Sequence, residues 1–322
     1  MAVERVHRAE YAVDVAAPAG VVYGLIADTT QWPLFVPPSI HVERLDFDGF
    51  QDRFHMWVLA NGTVRSWLSH RTLDATRRRI EFRQGTPADP ISSMGGCWTV
   101  EPLGEGRCRL RLEHDFTVAG NRPADVAGVR EATDTSSRAE LARLREIAER
   151  WTRLDDLLLT FEDSVRIHGP AELVYDFLYR IGDWPALMPH VSRAEVAELQ
   201  PGVQLTSLDV LSADGAVHTF EAVRVCFPHS GRILWKHTLP SPIVDAHTGE
   251  WSVIPDEEGV LVIAQHSVLL REEGIEEAAG KLLGAGAGLA QARGHVRATA
   301  GRFSLATLEL AGRHAETAVR TL

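Results

Sequence analysis

Four side chains able to hold an oxygen or move a proton recur at matched positions in this 322-residue chain: Arg71 and Arg224, His114 and His266. Each arginine lies in a stretch whose side chains alternate. Arg65, Trp67, Ser69 and Arg71 share one face of the first, and His218, Phe220, Ala222 and Arg224 one face of the second. The histidines interrupt apolar faces, Leu110/Leu112/His114/Phe116 and Val262/Ala264/His266/Val268. A guanidinium can stabilise developing negative charge on a carbonyl oxygen. An imidazole titrates near neutrality and can carry the proton. Taken singly, such an arginine can face solvent from a strand, and such a histidine can be a satisfied core side chain. An arginine buried without a partner is costly, so a dry core is a poor home for it. Recurrence of both residue types favours a polar pocket present twice.

The spacing is that of a duplication. Pro18, Tyr23, Trp32-Pro33 and Pro37 recur as Pro170, Tyr175, Trp184-Pro185 and Pro189, with 170 − 18 = 152 holding throughout. Arg71/Arg224 and Trp98/Trp251 recur at 153. A repeat of this length is one domain, not a solenoid unit. Residues 1–155 and 156–322 are therefore expected to be two copies of one fold. The junction near Arg153–Leu157 has no Gly/Pro/Ser-rich linker, which predicts a stiff connection. The duplicated tryptophans suit core packing and the walls of a wide, flat pocket equally well. Asp134 can complement a helix dipole or orient His114. Its counterpart is read as Ala298, and that of Ser69 as Ala222, so neither is duplicated.

Periodicity gives the elements that must carry these residues. In the first repeat Tyr11/Val13/Val15 alternate as a strand, and Pro18 opens a short helix with Val21, Val22, Leu25 and Ile26 on one side. Trp32-Pro33 and Pro37-Pro38 break that helix and allow only short turns around them. Alternating segments around Phe54, Thr63–Arg71, Ile80, Trp98 and Cys108–Phe116 are separated by Asp48-Gly49, Asn61-Gly62 and Gly104-Glu105-Gly106. A helix from about Ala132 to Leu154, apolar at Leu141, Leu144, Ile147, Ala148 and Trp151, closes the repeat. The second copy repeats the order and ends in a helix near Val296–Arg313. An antiparallel sheet with segregated helices is an α+β architecture, with a cavity between sheet and long helix.

Composition narrows the function. Hydrophobic residues at 45% and charged residues at 24% describe a globular protein, and the net charge of −11 argues against a nucleic-acid partner. No apolar run reaches membrane-spanning length and no signal peptide is apparent, so a cytoplasmic location is expected. Cys97, Cys108 and Cys226 form no CxxC pair and read as reduced thiols. There is no GxSxG elbow and, among fourteen histidines, no metal spacing. Gly280-Lys281 and Gly284–Gly288 fit no phosphate loop and read as a lead into the last helix. Arg77-Arg78-Arg79 reads as a solvated hairpin tip, or as a docking point for an acidic carrier protein.

The run Ala60-Asn61-Gly62 … Trp67-Leu68-Ser69-His70-Arg71, with Trp32-Pro33, Met94 … Trp98 and Thr135-Ser136-Ser137-Arg138, resembles the aromatase/cyclases of bacterial type II polyketide synthases, in particular their di-domain members. The resemblance covers almost the whole chain and is weaker in the second repeat. It implies tandem helix-grip domains of the START/Bet v1-like kind, each with a sheet wrapped around its C-terminal helix. It implies no cofactor, an acyl carrier protein bearing the substrate, and other synthase components as partners. The implied reaction is an aldol closure between carbons 7 and 12 of a poly-β-ketone reduced at carbon 9, then dehydration. By position it implies catalytic roles for Arg71, Ser69, His114, Asp134, Arg224 and His266. Trp32, Trp67, Met94 and Trp98 would line the first pocket, and Trp184, Phe220 and Trp251 the second. Ser39 stands where a single-domain relative has a tyrosine, so that role does not transfer. The rival expectation is a helix-grip binding module or chaperone that shields a hydrophobic chain without chemistry; a third is one active and one structural domain.

Overall fold

The computed structural model describes residues 5–211 and 215–320. The chain divides into two compact units, Met1–Leu154 and Asp155–Leu322. In the first, β1 (His7–Val15) leads to α1 (Ala19–Ala27) and α2 (Trp32–Phe35). Then come β2 (Ser39–Phe47), β3 (Gln51–Ala60), β4 (Thr63–Asp74), β5 (Arg79–Gln84), β6 (Ile91–Gly104) and β7 (Arg107–Val118), and α3 (Pro123–Glu149) closes the unit. The sheet is antiparallel, in the order β1-β7-β6-β5-β4-β3-β2. After the one-turn α4 (Leu154–Leu157), the second unit comprises β8 (Leu158–Ile167), α5 (Ala171–Tyr179), α6 (Trp184–Leu187), β9 (Val191–Gln200), β10 (Val203–Leu211), β11 (Val217–Phe227), β12 (Arg232–His237), β13 (Val244–Asp256), β14 (Gly259–Leu270), α7 (Ile275–Leu283) and α8 (Leu289–Arg320). Its sheet has the equivalent order, β8-β14-β13-β12-β11-β10-β9.

Local chemistry sets the short helices. Pro18 and Pro170 precede α1 and α5 with extended backbone, and Pro33 and Pro185 occupy the first turns of α2 and α6, where a missing N–H costs nothing. Alternation then turns Ile80, Trp98, Leu110 and Leu112 onto one face of the first sheet. α1 and the Leu141/Leu144/Ala148 stripe of α3 pack there in a single core. Leu308, Ala311 and Ala315 of α8 do the same against Val262, Ala264 and Trp251 in the second unit. Each unit is thus a helix-grip domain. Among the described residues no helix is long and apolar enough to cross a membrane.

Several expectations are corrected. The edge strands β2 and β9 carry no clear alternation and were not anticipated. β2 buries four consecutive residues and then exposes most of the rest, so it lacks period two, and most of β9 is exposed. α3 starts at Pro123 rather than near Ala132 and stops at Glu149. A tight turn over Trp151–Arg153 then leaves Trp151 44% exposed instead of buried. Gly280-Lys281 lie inside α7, a helix that periodicity did not reveal, and α8 begins at Leu289, ahead of Val296.

Candidate functional site

Strand register places the matched residues. Asp52 pairs with Arg71 across β3 and β4, and Gln204 with Arg224 across β10 and β11. Gly96 pairs with His114 across β6 and β7, and Gly249 with His266 across β13 and β14. The two sheets therefore carry equivalent sets of side chains, and the differences between them are local substitutions.

Arg71 is buried and fully engaged. Its Nε donates to Asp52 Oδ1 at 2.9 Å and its Nη2 to Asp52 Oδ2 at 2.5 Å, a bidentate pair. Nη1 donates to the Ile26 carbonyl at 2.8 Å and Nη2 to that of Ala27 at 2.7 Å. These are last-turn carbonyls of α1, which an arginine can satisfy. Arg224 repeats the cap on α5, donating to the carbonyls of Leu178 at 2.5 Å and Tyr179 at 3.2 Å. Across from it, however, stands the neutral Gln204, whose Oε1 accepts at 2.8 Å, and Arg224 Nε is buried without a partner. Burial consequently pushes the Arg224 guanidinium below its usual range. Arg71 thus already has a charged partner, which alternation along β4 does not reveal. Its partner, Asp52, lies on the inner face with Phe54 and was passed over. Ser69 is buried beside it, and Arg65 and His218 at the far ends of these faces are exposed.

The histidines differ more. His266 is buried, with Nε2 2.8 Å from Ser304 Oγ, Nδ1 3.0 Å from His247 Nε2, and its ring stacked on Phe161 at 4.7 Å. Burial lowers its pKa to about 4, and burial holds its neighbours down too, His237 to about 4 and His247 further. The expectation of a histidine titrating near neutrality fails here; His266 is neutral at pH 7. His114 sits edge-on to Tyr11 at 6.4 Å and Phe82 at 5.5 Å. Its Nδ1 is buried and unpartnered, and burial lowers its pKa against the opposing effect of the Gly95 backbone. At the strand positions equivalent to His247 and His237 the first unit has Met94 and Gln84.

Asp134 does not touch His114 directly. It accepts from Arg138 Nε at 3.1 Å, which keeps its carboxyl below the usual range, and Tyr11, which also hydrogen-bonds it, lies between. Its counterpart is also revised. Glu149 Oε1 accepts from the Ala16 N–H, and Glu316 Oε1 from that of His168, so the closing helices align at 316 − 149 = 167. Asp134 then matches Gly301 rather than Ala298, and Ser137 matches Ser304. The extra 167 − 152 = 15 residues lie between β14 and α8, where α7 occurs. A Cβ on Gly301 would come within 2.9 Å of Asp163 Oδ2. Asp163 is paired to Arg297 at 2.7 Å and occupies the strand position of Tyr11. The second unit has moved its acid from helix to strand.

Of the wall residues, Trp32 and Trp184 each give an indole N–H to a carbonyl seven residues back, Leu25 at 3.1 Å and Phe177 at 3.0 Å, and belong to the cores. Trp98 and Trp251 are buried, and Trp67, Met94 and Phe220 partly so. Sequence reasoning missed Phe82 and Trp235, which lie edge-on to the two histidines, and the glycines that admit them. A Cβ on Gly96 would meet Phe82 Cζ at 2.7 Å, and one on Gly249 would meet Trp235 at 2.2 Å. The 153-residue spacing of both pairs was available as a signal. Arg77 is highly exposed, and its partner is the local Asp74 at 3.5 Å.

The profile of the polyketide cyclase/dehydrase and lipid transport family matches residues 6–149 and again 159–303. The granaticin polyketide synthase bifunctional cyclase/dehydratase of Streptomyces violaceoruber is 38% identical over 314 residues, 97% of this chain and 95% of that protein. The actinorhodin polyketide synthase bifunctional cyclase/dehydratase of Streptomyces coelicolor is 34% identical, covering 97% of this chain and 96% of its own. Among solved structures, the di-domain ARO/CYC BexL of the BE-7585A biosynthetic pathway superposes with a TM-score of 0.87 at 40% identity, over 96% of this chain and 99% of that one.

Proposed function

Because the chain belongs to the polyketide cyclase/dehydrase family, we propose that it closes the first ring of a poly-β-ketone by an intramolecular aldol between carbons 7 and 12 and then dehydrates it. The chain would be reduced at carbon 9 and delivered on an acyl carrier protein, with other type II synthase components as partners. The observation that carries this reading is His114: a half-buried imidazole, its pKa lowered by burial, with a buried and uncommitted Nδ1 on an aromatic-lined inner face.

In the first unit the work is divided among several residues. His114 Nδ1 takes the proton from the carbon that attacks and returns it to the alkoxide formed at the attacked carbonyl; in the dehydration it takes a proton from the same ring carbon and gives it to the departing hydroxyl, which leaves as water. Asp134 and Tyr11 hold the ring's surroundings, and Trp67, Met94 and Trp98 restrict the chain to one folded conformer, the main source of regiochemistry in a flexible substrate. Arg71, whose donors are committed to Asp52 and α1, fixes the inner face and does not itself meet the oxyanion; Ser69 lies beside it. In the second unit His266 is committed at both nitrogens, whereas Arg224 Nε, Tyr175 OH and Trp251 Nε1 are buried without partners. That unit is suited to holding ligand oxygens more than to moving protons, which favours unequal roles for the two pockets. It also supports a second reading, in which the chain only shields and folds the substrate.

The test is product profiling with a reconstituted synthase. His114→Gln should lower ring-closed product by about 10²–10⁴-fold with an unchanged melting temperature. Because burial holds the His114 pKa below 6.5, the neutral, basic form persists as pH falls, and the acid limb of the rate profile should lie below that value. A wild-type protein that binds a chain mimic yet leaves the product ratio as it is without the protein would establish shielding and defeat the catalytic reading.

A further inference from the structure

His114 and Phe82 stand on strands that are not neighbours. β7 and β5 flank β6, and one row across the inner face of the sheet runs Arg71, Phe82, Gly96, His114. Strands separated by a third lie roughly 9.5 Å apart, and a side chain on the middle strand ordinarily keeps their rings from meeting. Gly96 supplies none: a Cβ there would come within 2.7 Å of Phe82 Cζ. Phe82 therefore leans across the glycine and meets the His114 ring at 5.5 Å between centroids and 78° between planes. Tyr11, on β1 at the opposite flank, closes at 6.4 Å and 69°. The second unit repeats the row as Arg224, Trp235, Gly249 and His266, with Trp235 over Gly249 and 5.4 Å from His266.

What holds the two imidazoles differs. Hydrogen bonds fix the His266 ring at both nitrogens, and Phe161 stacks on it at 4.7 Å. His114 Nδ1 has no hydrogen-bond partner, so the angle of its ring rests on packing. The terminal torsion of a histidine is broad and two-fold unless its surroundings narrow it. Perpendicular aromatic contacts are directional, so a ring on each flank narrows it here. Tyr11 is itself covered by the Arg138 guanidinium, 5.6 Å from its ring. We propose that Phe82 is a positioning residue of the first pocket: seated in the notch left by Gly96, it sets the ring angle at which His114 Nδ1 faces the ligand. Trp235 has no such duty, because His266 is already fixed by its own hydrogen bonds. The inference rests on the proposed reaction in taking His114 as the group that moves protons; the ring contact does not depend on it.

The experiment replaces Phe82 in the full chain by leucine, which keeps apolar bulk without the ring, and by tryptophan, which the second unit seats on its own glycine. Phe82→Leu should lower kcat for ring closure about ten-fold and leave KM for the carrier-bound chain within about two-fold, the size of effect one aromatic contact gives. The order parameters of the His114 ring C–H groups, measured by NMR relaxation, should fall. The acid limb of the rate profile should move up toward 6.5 as the ring is opened to water. Phe82→Trp should restore both kcat and ring order. Trp235→Leu should leave the order of the His266 ring as in wild type. A wild-type kcat, or a His114 ring as ordered as in wild type, in Phe82→Leu overturns the proposal. So does a raised KM with a lower melting temperature in both Phe82 variants, the signature of a packing role. If wild type closes the ring and Phe82→Leu does so at the same kcat, only this inference fails. If the His114 ring loosens in Phe82→Leu and tightens in Phe82→Trp, but no protein tested gives ring-closed product, the positioning stands and the catalytic reading fails.

Discussion

Replacing Arg71 by methionine should cost the first unit about 3–5 kcal/mol, the range for breaking a buried ion pair from one side. The change strands the Asp52 carboxylate, which is 3% exposed, and uncaps α1 at the Ile26 and Ala27 carbonyls. For a unit of this size the melting transition should drop by about 10 °C or more. Arg224→Met should be milder. It removes the same helix cap, but its strand partner is the neutral Gln204, so no charge is left behind and an imperfectly solvated cation is removed. Differential scanning calorimetry of the two single variants, with hydrogen exchange to assign each transition, checks the asymmetry. Equal shifts, or an Arg71→Met shift within about 2 °C of wild type, would defeat it. The same contacts bear on mechanism. Loss of product in Arg71→Met cannot by itself be credited to contact with substrate, because the side chain first holds together the face on which His114 is presented.

The second large effect concerns acid. His266 is neutral in the folded state with a pKa of about 4, against 6.5 for an ordinary histidine. For a base whose folded pKa is depressed, the stabilisation is complete above the unfolded pKa and is lost as pH falls from 6.5 through 4. At 1.36 kcal/mol per unit, His266 alone removes about 3 kcal/mol from the second unit over that window. His237 and His247 are held down in the same direction and add to the loss. Asp163 opposes it by favouring the charged ring, and Arg297 reinforces it. The first unit has Gln84 and Met94 where His237 and His247 stand, and so lacks the cluster. On acidification the second unit should therefore lose exchange protection in β8 and β14 near pH 5 while the first unit's β1 and β7 remain protected. His247→Leu should move that transition to lower pH. A second unit that keeps its protection and melting temperature down to pH 4 would show that the cluster is solvated.

The duplication, the α+β order of elements, the family resemblance and the pairs Arg71/Arg224 and His114/His266 were all legible in the residues, because each depends on local periodicity or on a spacing that recurs. Period two put those four side chains on inner faces without any knowledge of what they meet there. Partnership was not legible, because it is made across strands and between strand and helix. Asp52 meets Arg71 only through the register of β3 with β4, and Ser304 meets His266 only once the closing helix is laid on the sheet. The position of the acid was misjudged for the same reason: fifteen residues around α7 shift the helix numbering, and only a bond between the helix end and the first strand resets it. Sequence by itself determined which residues recur. Tertiary structure decided which are already satisfied, and that depends on the difference between a buried charge or ring with a partner and one without.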